Sequence, residues 1–371
     1  MNSYEVRLVR VQSELAIDGV DGMILAGTDQ MRYLTGWQEC GHERFVGLLI
    51  PAVGDPAFLV PAMNVAQARE TPAGMESVIG WDDATGWREA ARTIVGAWGS
   101  AARILVDDEM RSGHLLALQE MFPETRFRAA SGLMRRLREI KDAAELEAMR
   151  RAAQMIDEVF EAVAIQLYTG ATELEVAEMV VGEIRVRGSR PSFSPLICFG
   201  PNSALPHHHT GDRRLAPGDV VIIDIGCVAD GYASDITRTV GYCEPSDPDA
   251  RALYDLVFRA HHAARDLARP EVTPEAVDAA ARNLIAAAGY GERFLHRTGH
   301  GIGLSVHEPP DIVKGGTAPL KPGTCFSIEP GVYLPGRFGV RIENIVTVTC
   351  DGVASLNAEP DPELRVLPAR T

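Results

Sequence analysis

Val220-Val-Ile-Ile-Asp224-Ile-Gly-Cys-Val-Ala-Asp-Gly-Tyr-Ala-Ser-Asp235-Ile-Thr-Arg-Thr-Val240 reads as two strand-forming runs joined by a tight turn. β-Branched residues dominate both runs, and Ala229-Asp230-Gly231 between them supplies the small and polar residues that close a hairpin. Such a hairpin brings Asp224 and Asp235, eleven residues apart, near one another. An acidic side chain at the end of Val-Val-Ile-Ile is costly to bury unless its charge is compensated, and a metal cation compensates it. Taken alone, Asp224 could be a strand-end turn former; the second aspartate argues for a ligand pair.

The same device recurs further along the chain. Thr324-Cys-Phe-Ser-Ile-Glu329-Pro-Gly and Val340-Arg-Ile-Glu343-Asn flank a turn at Pro335-Gly336-Arg337, so a second hairpin offers Glu329 and Glu343. Singly, each glutamate reads as a turn or surface charge. His300 lies in His296-Arg-Thr-Gly-His300-Gly-Ile-Gly303, where glycines permit close backbone approach and let an imidazole point into a cavity. Four carboxylates and one imidazole form an oxygen-rich set suited to two hard divalent cations, more than a single zinc needs. His307, in Val-His-Glu-Pro-Pro, and His207, which opens Pro206-His-His-His-Thr210, add histidines around the same centre. His261 and His262 read instead as packed structural residues.

Gly299-His-Gly-Ile-Gly303 superficially suggests a nucleotide turn, but it lacks the spacing of a dinucleotide or phosphate loop. There is no G-x-S-x-G elbow and no recognised cysteine nucleophile motif. The metal reading is therefore the one with several independent segments behind it.

A chain of 371 residues exceeds one ordinary core, and 46% hydrophobic with 23% charged residues describes a globular protein. A net charge of −15 disfavours nucleic acid or an anionic membrane surface as partner. Six cysteines without C-x-x-C spacing read as reduced, buried thiols. The amino terminus has no apolar signal core and no stretch approaches a bilayer span, so the expected location is the cytoplasm.

Residues 1–131 alternate apolar runs, at Gly22-Met-Ile-Leu, Val46-Gly-Leu-Leu-Ile and Arg103-Ile-Leu-Val, with helical stretches, the pattern of a small α/β domain. A basic stretch from Leu133 to Lys141 leads into Asp142-Ala-Ala-Glu145, a capping-box spacing that opens a helix running to about Leu167. Thr172-Glu-Leu-Glu175 opens a second helix, and Thr273-Pro274-Glu275 a third that stops at Gly289. Residues 132–371 thus form an α+β domain carrying the chemistry.

These residues resemble the pita-bread metallopeptidases, and within them the proline-specific branch of prolidase (Xaa-Pro dipeptidase) and aminopeptidase P. The resemblance covers nearly the whole chain. It rests on Gly200-Pro-Asn-Ser-Ala-Leu-Pro-His207, Asp224-Ile-Gly through Tyr232-Ala-Ser-Asp235-Ile-Thr-Arg-Thr, His296 through His307-Glu-Pro-Pro, Ile328-Glu-Pro-Gly-Val-Tyr333 and Gly339-Val-Arg-Ile-Glu343, in that order. Met31-Arg-Tyr-Leu-Thr-Gly-Trp37 resembles the signature of a creatinase-type amino-terminal domain. Methionine aminopeptidases lack that domain, and creatinase lacks the metal ligands.

The resemblance implies two divalent ions, manganese first with cobalt or zinc as alternatives, with Asp235 and Glu343 bridging, Asp224 serving one ion, and His300 and Glu329 the other. Two cations acidify a bridging water, whose hydroxide would attack the carbonyl before proline. Glu329 is the expected proton carrier, and His207 and His307 the residues that hold substrate and the developing oxyanion. His296 is an expected substrate contact, Arg341 an orienting residue for the carboxylates, and Tyr232 a further substrate-side residue. The loop after His307 carries Asp311 and Lys314 but no arginine to clamp a dipeptide's terminal carboxylate, so dipeptidase and longer-peptide aminopeptidase both stay open. Asn344 stands where many relatives carry Asp. The expected substrates are short proline-containing peptides and the expected assembly a homodimer. Hydrolysis of a small amide such as ectoine, or lyase action on a sulfonium compound, is the alternative on this scaffold; the intact ligand set argues against an inert binding protein.

Overall fold

Each helix announced by a capping signal begins at that signal. Asp142 accepts from the N–H groups of Ala144 and Glu145, and Glu145 reaches back to the Asp142 N–H, opening the helix Ala143–Ala164. Thr172 and Glu175 make the same reciprocal pair at the start of Glu173–Val186. Thr273 caps Pro274–Ala287 by accepting from Ala276. Such caps contribute ~1 kcal/mol each and fix where the helices enter. A fourth helix, Ala250–Leu267, has no side-chain cap hydrogen bond from its N-cap, Asp249; the acceptor nearest its start is Asp247, which takes the Asp249 N–H at 3.0 Å.

The computed structural model describes residues 2–39 and 41–370, which fall into two compact units dividing between Leu137 and Arg138. A division after residue 131 would fall at the start of the helix Ser131–Arg138, whereas the units separate near its end. The first unit is built on a mixed six-stranded sheet in the order Ser77–Trp81, Ala57–Pro61, Gly47–Pro51, Gly22–Leu25, Arg103–Val106, Arg126–Ala129. Its apolar runs become the four inner strands, which are buried almost throughout: Ile24, Leu49, Leu59 and Ile104 share one core cluster with helix residues Ala91, Val95 and Leu118. The Met31–Trp37 segment forms the helix Asp29–Thr35, closed by Gly36 in the left-handed region at φ 76°.

The second unit holds two larger sheets. One runs Val366–Leu367, Ile236–Tyr242, Val220–Ile225, Leu196–Phe199; the other runs Glu308–Ile312, Gly299–Gly301, Cys325–Ile328, Asn344–Val348, Val353–Ser355. The helices Ala143–Ala164 and Glu173–Val186 pack Ile156, Val163, Val176 and Val180 onto Val221, Ile223, Ile225, Ile236 and Val240 of the first sheet. The helices Ala250–Leu267 and Pro274–Ala287 pack Val257, Ala260, Val277 and Ile285 against Phe326, Ile328 and Val346 of the second. Each fully buried Val, Leu or Ile contributes roughly 1.5–3 kcal/mol, so the helix pairs hold the sheets rigidly. His261 is fully buried in this helix layer, as read from the sequence, and His262 hydrogen-bonds the Phe258 carbonyl.

Cys198, Cys227 and Cys325 are buried free thiols, Cys243 is half-buried, and Cys350 is exposed, in the connection between the last two strands of the second sheet. The expectation of buried thiols therefore fails at Cys350, because it lies in an exposed turn, where its thiol meets only the exposed Asp351 among the described hydrogen-bond partners. Cys40 lies outside the described residues. Among the described residues no helix is long and apolar enough to cross a membrane.

Candidate active site

Alternation along a strand decides which way each carboxylate faces. In Val220–Ile225, Val221, Ile223 and Ile225 enter the helix-packed core, so Asp224 lies on the opposite face. Its cross-strand partners are Thr237 and Leu196. Asp235 sits just ahead of the strand Ile236–Tyr242, and the excursion between the two aspartates folds into a small ladder whose turn is Asp230-Gly231, both at positive φ.

Glu329 and Glu343 occupy breaks in a long hairpin. Cys325–Ile328 pairs with Asn344–Val348, and beyond the break Gly331–Leu334 pairs with Phe338–Arg341 around the Pro335–Arg337 turn. Both glutamates lie between the two ladders, where the backbone is not wholly spent on pairing. Glu343 joins the first sheet through an isolated bridge with Thr237, and its N–H donates to the Thr237 carbonyl at 3.1 Å. The Glu329 N–H donates to the Thr298 carbonyl at 2.7 Å.

His300 is central in Gly299–Gly301, and the flanking glycines act as the sequence reading requires. A Cβ on Gly299 would stand 1.8 Å from the Ser327 carbonyl oxygen, and one on Gly301 would stand 2.4 Å from that of Pro309. His300 Nδ1 lies 3.0 Å from the Gly301 carbonyl, which only accepts; Nδ1 is therefore the N–H, and Nε2 keeps its lone pair. Nε2 is 3.4 Å from Glu329 Oε1, 3.7 Å from Asp235 Oδ2 and 4.0 Å from Glu343 Oε1.

Asp235, His300 and Glu343, all buried, offer ligand atoms within 4.8 Å of one another. Asp235 Oδ1 and Glu343 Oε1 are buried oxygens that accept no hydrogen bond. Burial, reinforced by the neighbouring carboxylates, pushes Asp235 and Glu343 well above the usual carboxylate range. Burial also raises Asp224, although Arg341 pulls against it. Burial lowers His300 to about 4, which keeps its imidazole neutral. Buried, hydrogen-bond-starved carboxylate oxygens around an unprotonated imidazole nitrogen form a donor set that fits a divalent cation.

A cavity of about 620 Å³ opens on this cluster within the second unit. Asp224, Asp235, Glu329, Glu343, His207, His296, His300, His307, Arg297 and Arg341 line it together with Phe193, Ser194, Leu196, Pro206 and Val306. His307 meets the His300 ring edge-on at 4.3 Å. Desolvation in the cavity wall, with His300 and Arg297 adding to it, lowers His307 to about 4.

Arg341 is no surface arginine. Its Nη2 donates to Asp224 Oδ2 at 2.6 Å, Nη1 to the Tyr333 hydroxyl at 2.9 Å and Nε to Thr237 Oγ1 at 3.1 Å. Thr237 in turn donates to Glu343 Oε2 at 2.7 Å, so one buried guanidinium orients carboxylates from both hairpins. His296 donates from Nδ1 to the Arg297 carbonyl at 2.8 Å and therefore accepts at Nε2 from the Tyr333 hydroxyl, 2.8 Å away. Both nitrogens of this expected substrate contact are thus engaged within the wall.

Tyr232 is not among the cavity-lining residues. Its hydroxyl donates to Glu145 Oε1 at 2.8 Å, because its two-residue strand packs against the helix Ala143–Ala164. Two residues escaped sequence reasoning. Tyr333 looks like any buried strand aromatic. Glu173 looks like a first-turn helix residue, yet it is fully buried and accepts from Phe199 N, Asn202 Nδ2, His208 Nε2 and Gly211 N at 2.7–3.0 Å, tying down both ends of the loop that carries His207. Their signal exists only in three dimensions.

A family model described as metallopeptidase family M24 matches residues 147–350, the span that contains every cavity-lining residue. The chain belongs to metallopeptidase family M24. A second model, the creatinase/prolidase N-terminal domain, matches residues 7–140. The curated relatives of this M24 chain include a probable dipeptidase PepE of Mycobacterium bovis, 40% identical over 98% of this chain and 97% of the relative. They also include a Xaa-Pro dipeptidase of Lactobacillus helveticus, 34% identical over 98% and 100% of the two chains. Among solved structures, a recombinant prolidase from Thermococcus sibiricus superposes with a TM-score of 0.93 at 34% identity, covering 99% of this chain and 100% of that one. The creatinase-type domain followed by a pita-bread catalytic domain is therefore the architecture of this M24 protein.

Proposed function

We propose that this metallopeptidase hydrolyses the peptide bond preceding proline in Xaa-Pro dipeptides or short Xaa-Pro peptides. The observation that carries the reading is the convergence of Asp235, His300 and Glu343 on one point of the cavity. Full-length similarity to a Xaa-Pro dipeptidase supports the proline specificity.

Asp224, Asp235, His300, Glu329 and Glu343 would hold two divalent ions, manganese first. Bound there, the ions supply a water acidic enough to give a nucleophile near neutral pH, and they polarise the scissile carbonyl. The side chains do the rest. Glu329 Oε1 accepts from Ser327 at 3.2 Å, which leaves Oε2 to take the proton of the attacking water and pass it to the proline nitrogen. His307, neutral at physiological pH, donates an N–H to the carbonyl oxygen as negative charge develops there, and His207 holds substrate from the adjacent loop. Arg341 keeps Asp224 in place, and His296, locked by Tyr333, shapes the wall. The proposed location is the cytoplasm and the proposed assembly a homodimer, which light scattering of the purified protein checks.

The deciding assay measures proline released from a Xaa-Pro dipeptide and the first residue released from a Xaa-Pro-Yaa tripeptide, by metal-stripped protein with and without manganese. The expected result is manganese-dependent cleavage. Failure of the folded, metal-loaded protein to turn over either peptide sinks the reading and moves the small-amide and lyase alternatives forward.

A further inference from the structure

His207 stands on a stretch that the rest of the protein scarcely holds. Its side chain is exposed at the cavity and hydrogen-bonds to no other described residue. On one side the loop is fastened at Ser203, whose Oγ accepts from the Gly339 N–H at 2.9 Å, and on the other at Thr210, whose Oγ1 donates to the Pro195 carbonyl at 3.1 Å. Within 204–209 the N–H groups of Leu205 and His208 bond to the carbonyls of Asn202 and Leu205, inside the loop itself. Among the described residues a single hydrogen bond leaves this stretch, from His208 Nε2 to Glu173 Oε2 at 2.7 Å. Neighbouring side chains thus part: His207 turns to the cavity and His208 to Glu173.

Glu173 is equipped to keep that bond. It is the first residue of the helix Glu173–Val186, where the aligned peptide dipoles favour a carboxylate, and it is fully buried. Oε1 accepts from Phe199 N and Asn202 Nδ2, and Oε2 from Gly211 N and His208 Nε2, so both oxygens are met by donors, as a buried carboxylate requires. One backbone N–H falls on each oxygen, so the carboxylate cannot swing away from His208 without abandoning Phe199 or Gly211. We propose that the Glu173–His208 pair positions His207, fixing where its imidazole stands over the cavity and so governing how substrate is held, an inference that rests on the role given to His207 above. Neither member of the pair lines the cavity, so each acts through the loop and not on substrate. A reacting group displaced by about 1 Å can cost on the order of a hundredfold in rate, so the one bond that anchors this stretch is enough to matter.

The test is a double-mutant cycle in the turnover of Ala-Pro by manganese-loaded protein, with wild type, His207→Ala, His208→Ala and the two together. His208→Ala should lower kcat/KM by roughly tenfold to a hundredfold, and adding it to His207→Ala should cost nothing further, because the residue it positions is already gone. His208→Gln, which keeps an N–H able to reach Glu173, should recover most of the loss, and manganese affinity should stay at the wild-type value in both His208 variants. Losses that multiply in the double variant, an unchanged kcat/KM in His208→Ala, or a manganese affinity that falls with it overturn the proposal. The ring signals of isotope-labelled histidine supply an arm that needs no turnover. In magnetic resonance spectra His207 should give one sharp set in wild type and broadened or multiple signals in Glu173→Gln and His208→Ala; the same sharp set in both variants overturns the proposal. If wild type cleaves no Xaa-Pro peptide, the peptidase reading falls, and this arm still decides whether the pair holds His207 in place.

Discussion

Asp235 shows how a residue can be a liability to the fold and an asset to the chemistry. Its Oδ1 is buried and accepts no hydrogen bond, and its neighbours Glu343, Asp224 and Glu329 carry the same charge. A carboxylate whose folded-state pKa is raised weakens the fold wherever it is ionised. The penalty is fully present above the raised value and gone once pH falls below the ordinary aspartate range. Asp235→Asn removes that charge at nearly constant volume. In chelator at neutral pH the variant should melt at or above the temperature of wild type, while its manganese affinity falls by more than about a hundredfold. Thermal unfolding and metal titration measure the two sides. A variant that melts well below wild type in chelator would mean that Asp235 holds the fold together and that its geometry is not a ligand's. The same logic separates Asp235 from Asp224, whose charge is already answered by Arg341 at 2.6 Å.

At the scale of elements, the sequence was most legible where a local rule acts alone. Asp142, Thr172 and Thr273 announce helix starts because capping is a contact between residues three apart, whereas Ala250–Leu267 begins without a side-chain cap at Asp249, after an Asp247-Pro248 turn that lacks the three-residue capping-box pattern. The two hairpins were legible as strand-forming runs joined by turn residues. The break in the second hairpin, where Glu329 and Glu343 sit between two ladders, had no such local mark. What could not be read was pairing across sequence distance, such as Glu173 with His208, Tyr333 with His296, or Tyr232 with Glu145, since nothing local marks a hydroxyl or carboxylate as destined for a particular partner. The strand Glu308–Ile312 carries another such pairing. Glu308 is buried beside Arg138 and Lys141, and it also accepts from the Ser305 N–H at 3.0 Å, closing the loop that presents His307. Burial alone would raise its carboxyl, but Lys141 and Arg138 outweigh that and hold it below the usual range. The stability this cluster contributes is present above the ordinary glutamate pKa and lost as pH falls through the lowered one. Glu308→Gln should therefore cost about 3–5 kcal/mol at neutral pH, because two buried cations lose their partner. The cost should shrink on acidification below pH ~4, where wild type loses the same interaction. Denaturant unfolding of both proteins across that range tests it, and a pH-independent difference would show that packing, not charge, is what the substitution removes.

Across the whole molecule, ligand linkage says where the effect of metal must appear. Every cavity-lining residue belongs to the second unit, on strands of both larger sheets, on the Phe338–Arg341 strand of a separate ladder, and on the loops between them. An ion held as proposed by Asp224, Asp235, His300, Glu329 and Glu343 would add a cross-link to elements already joined near the site by the Thr237–Glu343 bridge and by Arg341, which donates to both Asp224 and Thr237. Binding only to the folded state stabilises it by ~2.7 kcal/mol when free metal is at a hundred times the dissociation constant, and by ~4.1 kcal/mol at a thousand times. Hydrogen exchange resolves where that stabilisation resides. Manganese should slow exchange in Val220–Ile225, Ile236–Tyr242, Gly299–Gly301 and Cys325–Ile328, and leave Gly22–Leu25, Gly47–Pro51 and Arg103–Val106 of the first unit at their metal-free rates. Equal slowing in the first unit would mean that both units open as one cooperative body and that metal stabilises the whole chain. Absence of any slowing at saturating manganese would mean that the carboxylate cluster does not bind the ion, and the proposed chemistry would lose its foundation.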